Sequence, residues 1–455
     1  MLRRKNKKTG SGASGSDVSE LPKIDFKPPI ADKQVEQGVL IACRSMPQWP
    51  ATLTLLAQAI DNRAEQILLD YSKQAVAVRL RIDGLWEALP PMDRPTGDGV
   101  LVALKKLCDL NPADRRSKQQ AVLPLKYKGV DWLMDFTSQG VPTGERVLLR
   151  LEPKKPVLTT LADLGMRKKM QDQLRDLLNA SEHLFLFSAP PGHGLPTTWR
   201  VGLEAADRFV RDFHSVEDVH LREPELINIT KHLYDSQAGE TPMKVLKSLL
   251  LKQPDVLVFP DLVNEEVCQL MCGEVKEEGR TVITRLQAAS AVEALLKLLA
   301  RFKSCSKDLV KITSGVLNQR LLRRLCVECR KPFQPSPQLL QKLGIPPGRV
   351  QTLYQPTIAP PPEKRVDANG RPIEIEICGK CGGRGYYGRA AIFELLVIND
   401  EIRKAILNDP RPASVLAVAR KNGFLTLQEE GILAVATGMT SLQELQRILT
   451  PPKKA

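Results

Sequence analysis

Apolar and polar positions alternate strictly in AVAVRLRIDG. Val76, Val78, Leu80 and Ile82 fall on one face and Ala77, Arg79 and Arg81 on the other, the period of a strand with one face in a core. Asp83-Gly84 follows as a tight hairpin turn. The preceding ATLTLLAQAIDNR has helical spacing and QILLD reads as a strand. GVLVALKKLCDL forms a second helical stretch, and GVDWLMDF and ERVLLRLE close the region as strands. These elements predict a small α/β domain over residues 34–152. The segment PKKPVLTTLADLG supplies a linker at 153–165. Beyond it, short apolar runs (LFLF, the stretch around RDFHSVED, DVLVF, RTVIT) alternate with helices over 166–325. That order predicts a parallel sheet with helices on both faces, which binds ligands at the carboxyl ends of its strands. FSAPPGHGLPTT lies at one such end and DVLVFPD at another.

The character changes again at Cys326. A tetracysteine region, 326–398, is interrupted by the Pro-rich insert QPTIAPPPEKRVDANGRP, and a helical region follows over 399–450. Two helix starts there carry the Thr/Ser-x-x-Glu pattern, Thr426 with Glu429 and Ser441 with Glu444. At the other end, residues 1–33 are rich in Lys, Gly, Ser and Pro and read as a disordered basic tail. The tail has no apolar stretch behind its charges, so it is not a secretory signal, and no apolar run approaches the roughly 20 residues of a membrane span. A soluble cytoplasmic protein is expected.

The net charge is +14, which favours an acidic partner: anionic lipid, an acidic protein surface or nucleic acid. Aromatic residues make up only 5% of the chain, and this weighs against binding single strands by base stacking. Nine cysteines, an odd number in a long chain, argue against a disulfide scaffold. Cys43, Cys108 and Cys305 stand alone in sequence and read as small core hydrophobes. Cys268 and Cys272, four apart in EEVCQLMC, read as core packing on one helix face. Cys326, Cys329, Cys378 and Cys381 form two C-x-x-C pairs, and four thiolates match tetrahedral structural zinc. The intervening loop of about 48 residues is long for a compact zinc ribbon. Redox or incidental thiols are the alternative.

The order of these pieces resembles the secretion ATPase family of type II secretion and type IV pilus assembly, over residues 35 to 450. NQRLLRRLCVEC resembles the family's Q-R-L-x-R-x-L-C-x-x-C, and CGKCGGRGYYGRAAIFELL its C-x-x-C-x-x-x-G-Y-x-G-R-x-x-I-x-E-L-L. VRLRIDG and GERVLLRL resemble its amino-terminal motor domain, and LKSLLLKQPDVLVFPD its second nucleotide motif. The resemblance implies a small α/β domain followed by a RecA-like P-loop NTPase-type core with a zinc-stapled insert and C-terminal helices. It also implies a hexamer working on an inner-membrane platform protein. The family carries a tetracysteine site where this chain has its four cysteines.

In that alignment FSAPPGHGLPTTWR is the phosphate loop, G-x-x-x-x-G-K-[ST] in its usual form. Ala189 replaces the first Gly, Leu195 the Lys and Pro196 the Ser or Thr. Gly192, His193, Gly194, Leu195, Pro196, Thr197 and Thr198 make up the degenerate loop. Leu195 carries no charge for the phosphates. Pro196 has neither a hydroxyl for Mg²⁺ nor a backbone N–H, although proline suits a first helical turn. The acidic box keeps Glu217 and Asp218 but has Leu221 at its last acidic position. The second motif ends Pro260-Asp261, with Val263 in place of an Arg, and Arg280 and Gln287 replace two histidines. Glu217 and Asp261 are the catalytic candidates if the protein hydrolyses ATP. The loop is expected to keep its turn and to lose the chemistry of Mg-ATP. The resulting expectation is a pseudo-ATPase that serves as scaffold or regulator of an active homologous motor, at the inner membrane, as a homo- or hetero-oligomer. An active motor ATPase is the second reading. Nucleic-acid binding, suggested by ADRRSKQQ and ARFKSCSKDLVK, is the third, opposed by the low aromatic content and the family match.

Overall fold

The computed structural model describes residues 21–450 apart from 222, 362–363, 366–370 and 372. The chain divides into two compact units that part between Val157 and Leu158.

The first unit runs β1 (Ile24–Phe26), α1 (Lys33–Arg44), α2 (Trp49–Asp61), β2 (Ala64–Tyr71), β3 (Ala75–Ile82), β4 (Leu85–Asp93), α3 (Arg94–Leu107), β5 (Gln119–Tyr127), β6 (Val130–Val141) and β7 (Gly144–Pro153). Its strands form one antiparallel sheet in the order β1-β5-β6-β7-β2-β3-β4. Val76, Val78, Leu80 and Ile82 are buried, as their alternation requires, and share a core with Leu56, Leu101 and Leu104 of the helices. Asp83 and Gly84 both have positive φ (48° and 83°), the backbone of a type I′ hairpin. One expectation is corrected. The tail does not extend to residue 33, because Ile24 and Phe26 are buried and β1 pairs with β5. Residues 1–20 of that tail lie outside the described residues.

The second unit runs α4 (Lys168–Asn179), β8 (Leu184–Ser188), α5 (Leu195–Glu204), β9 (Phe213–Asp218), β10 (Ile229–Tyr234), α6 (Pro242–Leu250), β11 (Val256–Phe259), α7 (Glu265–Glu277), β12 (Thr281–Leu286), α8 (Ala291–Arg301), α9 (Ser306–Ile312) and β13 (Thr313–Leu325). It continues with β14 (Lys331–Phe333), α10 (Pro337–Lys342), β15 (Leu353–Gln355), β16 (Tyr386–Val397), α11 (Asp400–Asn408), α12 (Pro412–Lys421), α13 (Leu427–Ala436) and α14 (Leu442–Leu449). The main sheet has the order β10-β9-β11-β12-β8-β13-β16, parallel throughout except for β16, which runs antiparallel to β13. β8 and β11 are buried along their whole length, as strands covered on both faces must be.

The sheet is wider than the pattern of short apolar runs suggested. β10 escaped notice because ITKHLY is half polar. β16 lies inside the 326–398 region assigned to the cysteines, yet it is an edge strand of the main sheet. Ala391, Phe393 and Leu395 join the cluster around Phe187, while Ala390 and Ile392 join the one that holds α13 and α14. The cysteine region proper is therefore the excursion between β13 and β16, with β14 and β15 paired as a small ladder of their own.

Polar contacts dock the C-terminal helices. Thr426 and Glu429 form the reciprocal capping box. Ser441 caps α14, but Glu444 does not complete a second box, because its carboxylate is buried and taken by Arg323 (2.7 Å) and Arg447 (2.6 Å). Glu394, buried on β16, accepts from the first N–H of two helices, Ala291 of α8 (2.5 Å) and Leu427 of α13 (3.0 Å). Both helix dipoles favour a carboxylate there. Among the described residues no helix is long and apolar enough to cross a membrane.

Candidate functional site

The segment between β8 and α5 turns as a phosphate loop does. Gly192 and Gly194 adopt φ of 78° and 82°, and Gly194 is the residue before α5. A side chain at Gly194 would be strained by that φ and would press on Gln319 and Leu321 of β13 at 3.2 Å. The loop is tied to the sheet from below. Gln319 Nε2 donates to the His193 carbonyl (2.7 Å), the Leu321 N–H donates to His193 Nδ1 (3.1 Å), and Gln319 Oε1 accepts from the Thr198 hydroxyl. The His193 N–H donates within the loop, to the Pro190 carbonyl (3.1 Å). One amide of the kind that cradles phosphate, and the hydroxyl of one retained threonine, are thus already bonded to protein.

Leu195, which the resemblance sets at the lysine position, is buried in the cluster of Phe187, Trp199 and Leu317, so this side chain is part of the core. Pro196 sits exposed in the first turn of α5 and Thr197 is half-buried beside it.

The carboxyl end of the sheet holds its acids in ion pairs. Glu217, buried near the end of β9, accepts from the Ser215 hydroxyl (2.7 Å) and pairs with Lys231 of β10 (3.2 Å). Glu223 takes the Arg285 guanidinium in a two-pronged pair, and Arg285 lies over the Trp199 ring at 5.2 Å. The cavity among Trp199, Glu217, Glu223 and Lys231 measures only about 10 Å³, room for one water at most. Asp218 accepts from Ser236 and from the His220 N–H, and these hydrogen bonds hold its carboxyl below the usual range. Asp261 follows β11, half exposed, and pairs with Arg301 of α8 (3.0 Å).

Arg280 and Gln287, which the resemblance sets at two histidine positions, lie at opposite ends of β12. Arg280 precedes the strand, at the amino edge of the sheet, and binds Glu274 and the Pro254 carbonyl (3.1 Å). Gln287 follows it at the carboxyl edge, where the loop lies. Leu221 and Val263 are exposed. Sequence reasoning missed Lys231, Glu223, Arg285 and Gln319. Gln319 lies within the quoted motif NQRLLRRLC, but nothing in the sequence ties it to a loop more than a hundred residues earlier.

The four expected cysteines do converge. The Sγ atoms of Cys326, Cys329, Cys378 and Cys381 lie within 4.8 Å of one another, with Cys326–Cys378 at 3.8 Å and Cys329–Cys381 at 3.6 Å. Sulfurs at about 2.3 Å from a tetrahedral ion are roughly 3.8 Å apart, so the donor set fits zinc. The Gly385 N–H donates to Cys381 Sγ (3.3 Å) and its carbonyl accepts from the Cys326 N–H (3.0 Å), which joins the two knuckles. A second group was not expected. Cys305 is alone only in sequence, for in the fold it meets Cys268 and Cys272.

Residues 47–447 match the family described as Type II/IV secretion system protein. The chain is 29% identical over 402 residues to type II secretion system protein E of Dickeya dadantii, covering 87% of this chain and 74% of that protein. It is 27% identical over 396 residues to the type IV pilus assembly ATPase PilB of Thermus thermophilus, covering 86% of this chain but only 42% of that protein. The fold is similar to that of the Legionella pneumophila ATPase DotB, with a TM-score of 0.56, 12% identity, and coverage of 87% of this chain and 94% of that one. It is also similar to the pilus retraction motor PilT crystallised with ADP, with a TM-score of 0.50, 16% identity, and coverage of 88% and 98%. With a P-loop NTPase fold and a match over most of its length, this chain belongs to the type II/IV secretion system protein family.

Proposed function

We propose that this chain is a pseudo-ATPase of the secretion ATPase family, acting as scaffold or regulator of a type II secretion or type IV pilus motor. The observation that carries this reading is the fate of the lysine position. Leu195 lies in the hydrophobic core, so no cation from this position reaches the space where the phosphates would sit. Glu217, one of the two candidate acids, is neutralised by Lys231. Phosphoryl transfer depends on charge neutralisation and Mg²⁺ placement more than on covalent chemistry, so losing both removes most of the rate. The partners that fit are an active homologous ATPase, in a mixed ring, and the membrane platform protein on which such a ring works. Nucleic acid fits poorly with so few aromatic residues.

The deciding measurement is Mg-ATP calorimetry with a turnover assay on the purified full-length protein. No hydrolysis above background is expected. Turnover well above background that Asp261→Asn abolishes would overturn the proposal in favour of an active motor. Binding without turnover would identify a scaffold gated by nucleotide.

We further propose one structural Zn²⁺ on Cys326, Cys329, Cys378 and Cys381. Four thiolates close its coordination and leave no open position for chemistry. Metal analysis should find one zinc per chain, lost when Cys378 and Cys381 are both replaced by Ser.

A further inference from the structure

Cys268 and Cys272 lie one turn apart on α7, and Cys305 is the residue before α9. Their three Sγ atoms lie within 4.8 Å of one another, and Cys268 and Cys305 are 3.1 Å apart. The thiols are 1%, 3% and 3% exposed, in the same apolar cluster as Met271, Phe302, Leu309 and Val310. Core packing explains any one of these cysteines, since a thiol is a small hydrophobe. It does not explain why three, contributed by two separate segments, point their sulfurs at one spot.

From this convergence we propose that Cys268, Cys272 and Cys305 form a second metal site, a three-thiolate site for a soft monovalent ion of the cuprous type. Zinc prefers four ligands, and no fourth Cys, His, Asp or Glu joins this group among the described residues. Soft thiolate ligands suit Cu(I), a soft ion that can be held by three of them. Sulfurs about 2.3 Å from a trigonal ion stand roughly 4 Å apart, so Cys268 and Cys305 have to spread by about 1 Å, within reach of a side-chain rotation. As each sulfur–copper bond forms, the thiol proton leaves to solvent, so three protons are released and the filled site carries two net negative charges, with Lys276, one turn along α7 from Cys272 and paired with Asp308, the cation that bears on it. The copper stays cuprous and no sulfur is oxidised.

The test uses the full-length, zinc-loaded protein, titrated anaerobically with Cu(I) against a chromophoric cuprous chelator while released zinc is followed. One tight equivalent of copper is expected without zinc release, with three sulfur neighbours by X-ray absorption. Cys305→Ser and Cys272→Ala should each weaken that equivalent at least tenfold and leave zinc content unchanged. Copper that binds only as zinc leaves, or that binds the variants as well as the native chain, would overturn the site. So would a thiol count on denatured protein two short of the expected number, which would reveal a Cys268–Cys305 disulfide. The native-chain stoichiometry decides the matter even if a variant does not fold.

Discussion

At the scale of single residues, the chain places ionised groups in its interior and satisfies them. Glu444 is the clearest case. Burial pushes its carboxyl up, but hydrogen bonds from Arg447 and Arg323 outweigh that and hold it down to about 2. Because the folded value lies below the unfolded one, the stabilisation is fully present above about pH 4.5. It is lost as the pH falls towards 2. A difference of that size corresponds to something on the order of 3 kcal/mol. Glu444→Gln should therefore be markedly less stable than the native chain at pH 7, and the gap should close by pH 2–3 in parallel urea titrations. A gap independent of pH would contradict the assignment. Leu195 belongs to this scale too. A lysine there would have to be desolvated in the core or pull α5 out of register, so Leu195→Lys should lower stability by a few kcal/mol without restoring turnover. Thermal unfolding and an ATPase assay on that variant check both outcomes.

At the scale of elements, the motif that ends FELL acquires a mechanical meaning. Glu394 is the common anchor of α8 and α13, accepting the first N–H of each. Glu394→Ala leaves two helix N-termini without their acceptor inside the protein, at about 1–3 kcal/mol for each buried group left unpaired. Hydrogen exchange should then quicken in the first turns of both helices at once. Exchange that quickens in only one of them would show that the carboxylate does not link the pair. Gly385 plays a similar part in the cysteine region. Its φ of 73° and its close approach to Pro356 and Thr357 exclude a side chain, and its backbone bridges the two knuckles. The sequence marked this glycine only as part of a pattern. The reason for it is the packing of the Pro-rich insert against the turn.

At the scale of the whole molecule, the hydrophobic clusters each lie within one of the two units. Removal of the proposed zinc therefore acts on one unit. Chelation releases the long excursion between β13 and β16 from its closed loop and should lower the melting temperature of the unit from Leu158 onward. The melting of the first unit should stay unmoved, as calorimetry with and without chelator would resolve. A single transition that shifts as one would count against that division.

In the first unit α2, α3, β2, β3, β6 and β7 were legible in the sequence, as were the alternation of helices with parallel strands in the second and the two cysteine pairs, whereas β1, α1 and β5 were not. Period-two alternation, full apolar runs and C-x-x-C spacing are local signals, and each is written in consecutive residues. The replaced positions at 195, 196, 221 and 287 could be read in the same way against the family pattern. What could not be read is everything that depends on which distant residues meet. β10 is half polar and takes its place only because β9 offers a free edge. β16 is separated from β13 by the cysteine excursion. Cys305 joins Cys268 and Cys272 across an intervening strand and helix. The ion pairs of Glu217 with Lys231 and of Glu223 with Arg285 form only when the sheet brings four segments together. The sequence by itself determined that Gly192, Gly194, Leu195 and Pro196 follow β8, where the resemblance sets the phosphate loop. The tertiary structure decided where the leucine goes and what holds the acids, because burial and charge pairing belong to the assembled fold and not to any stretch of the chain.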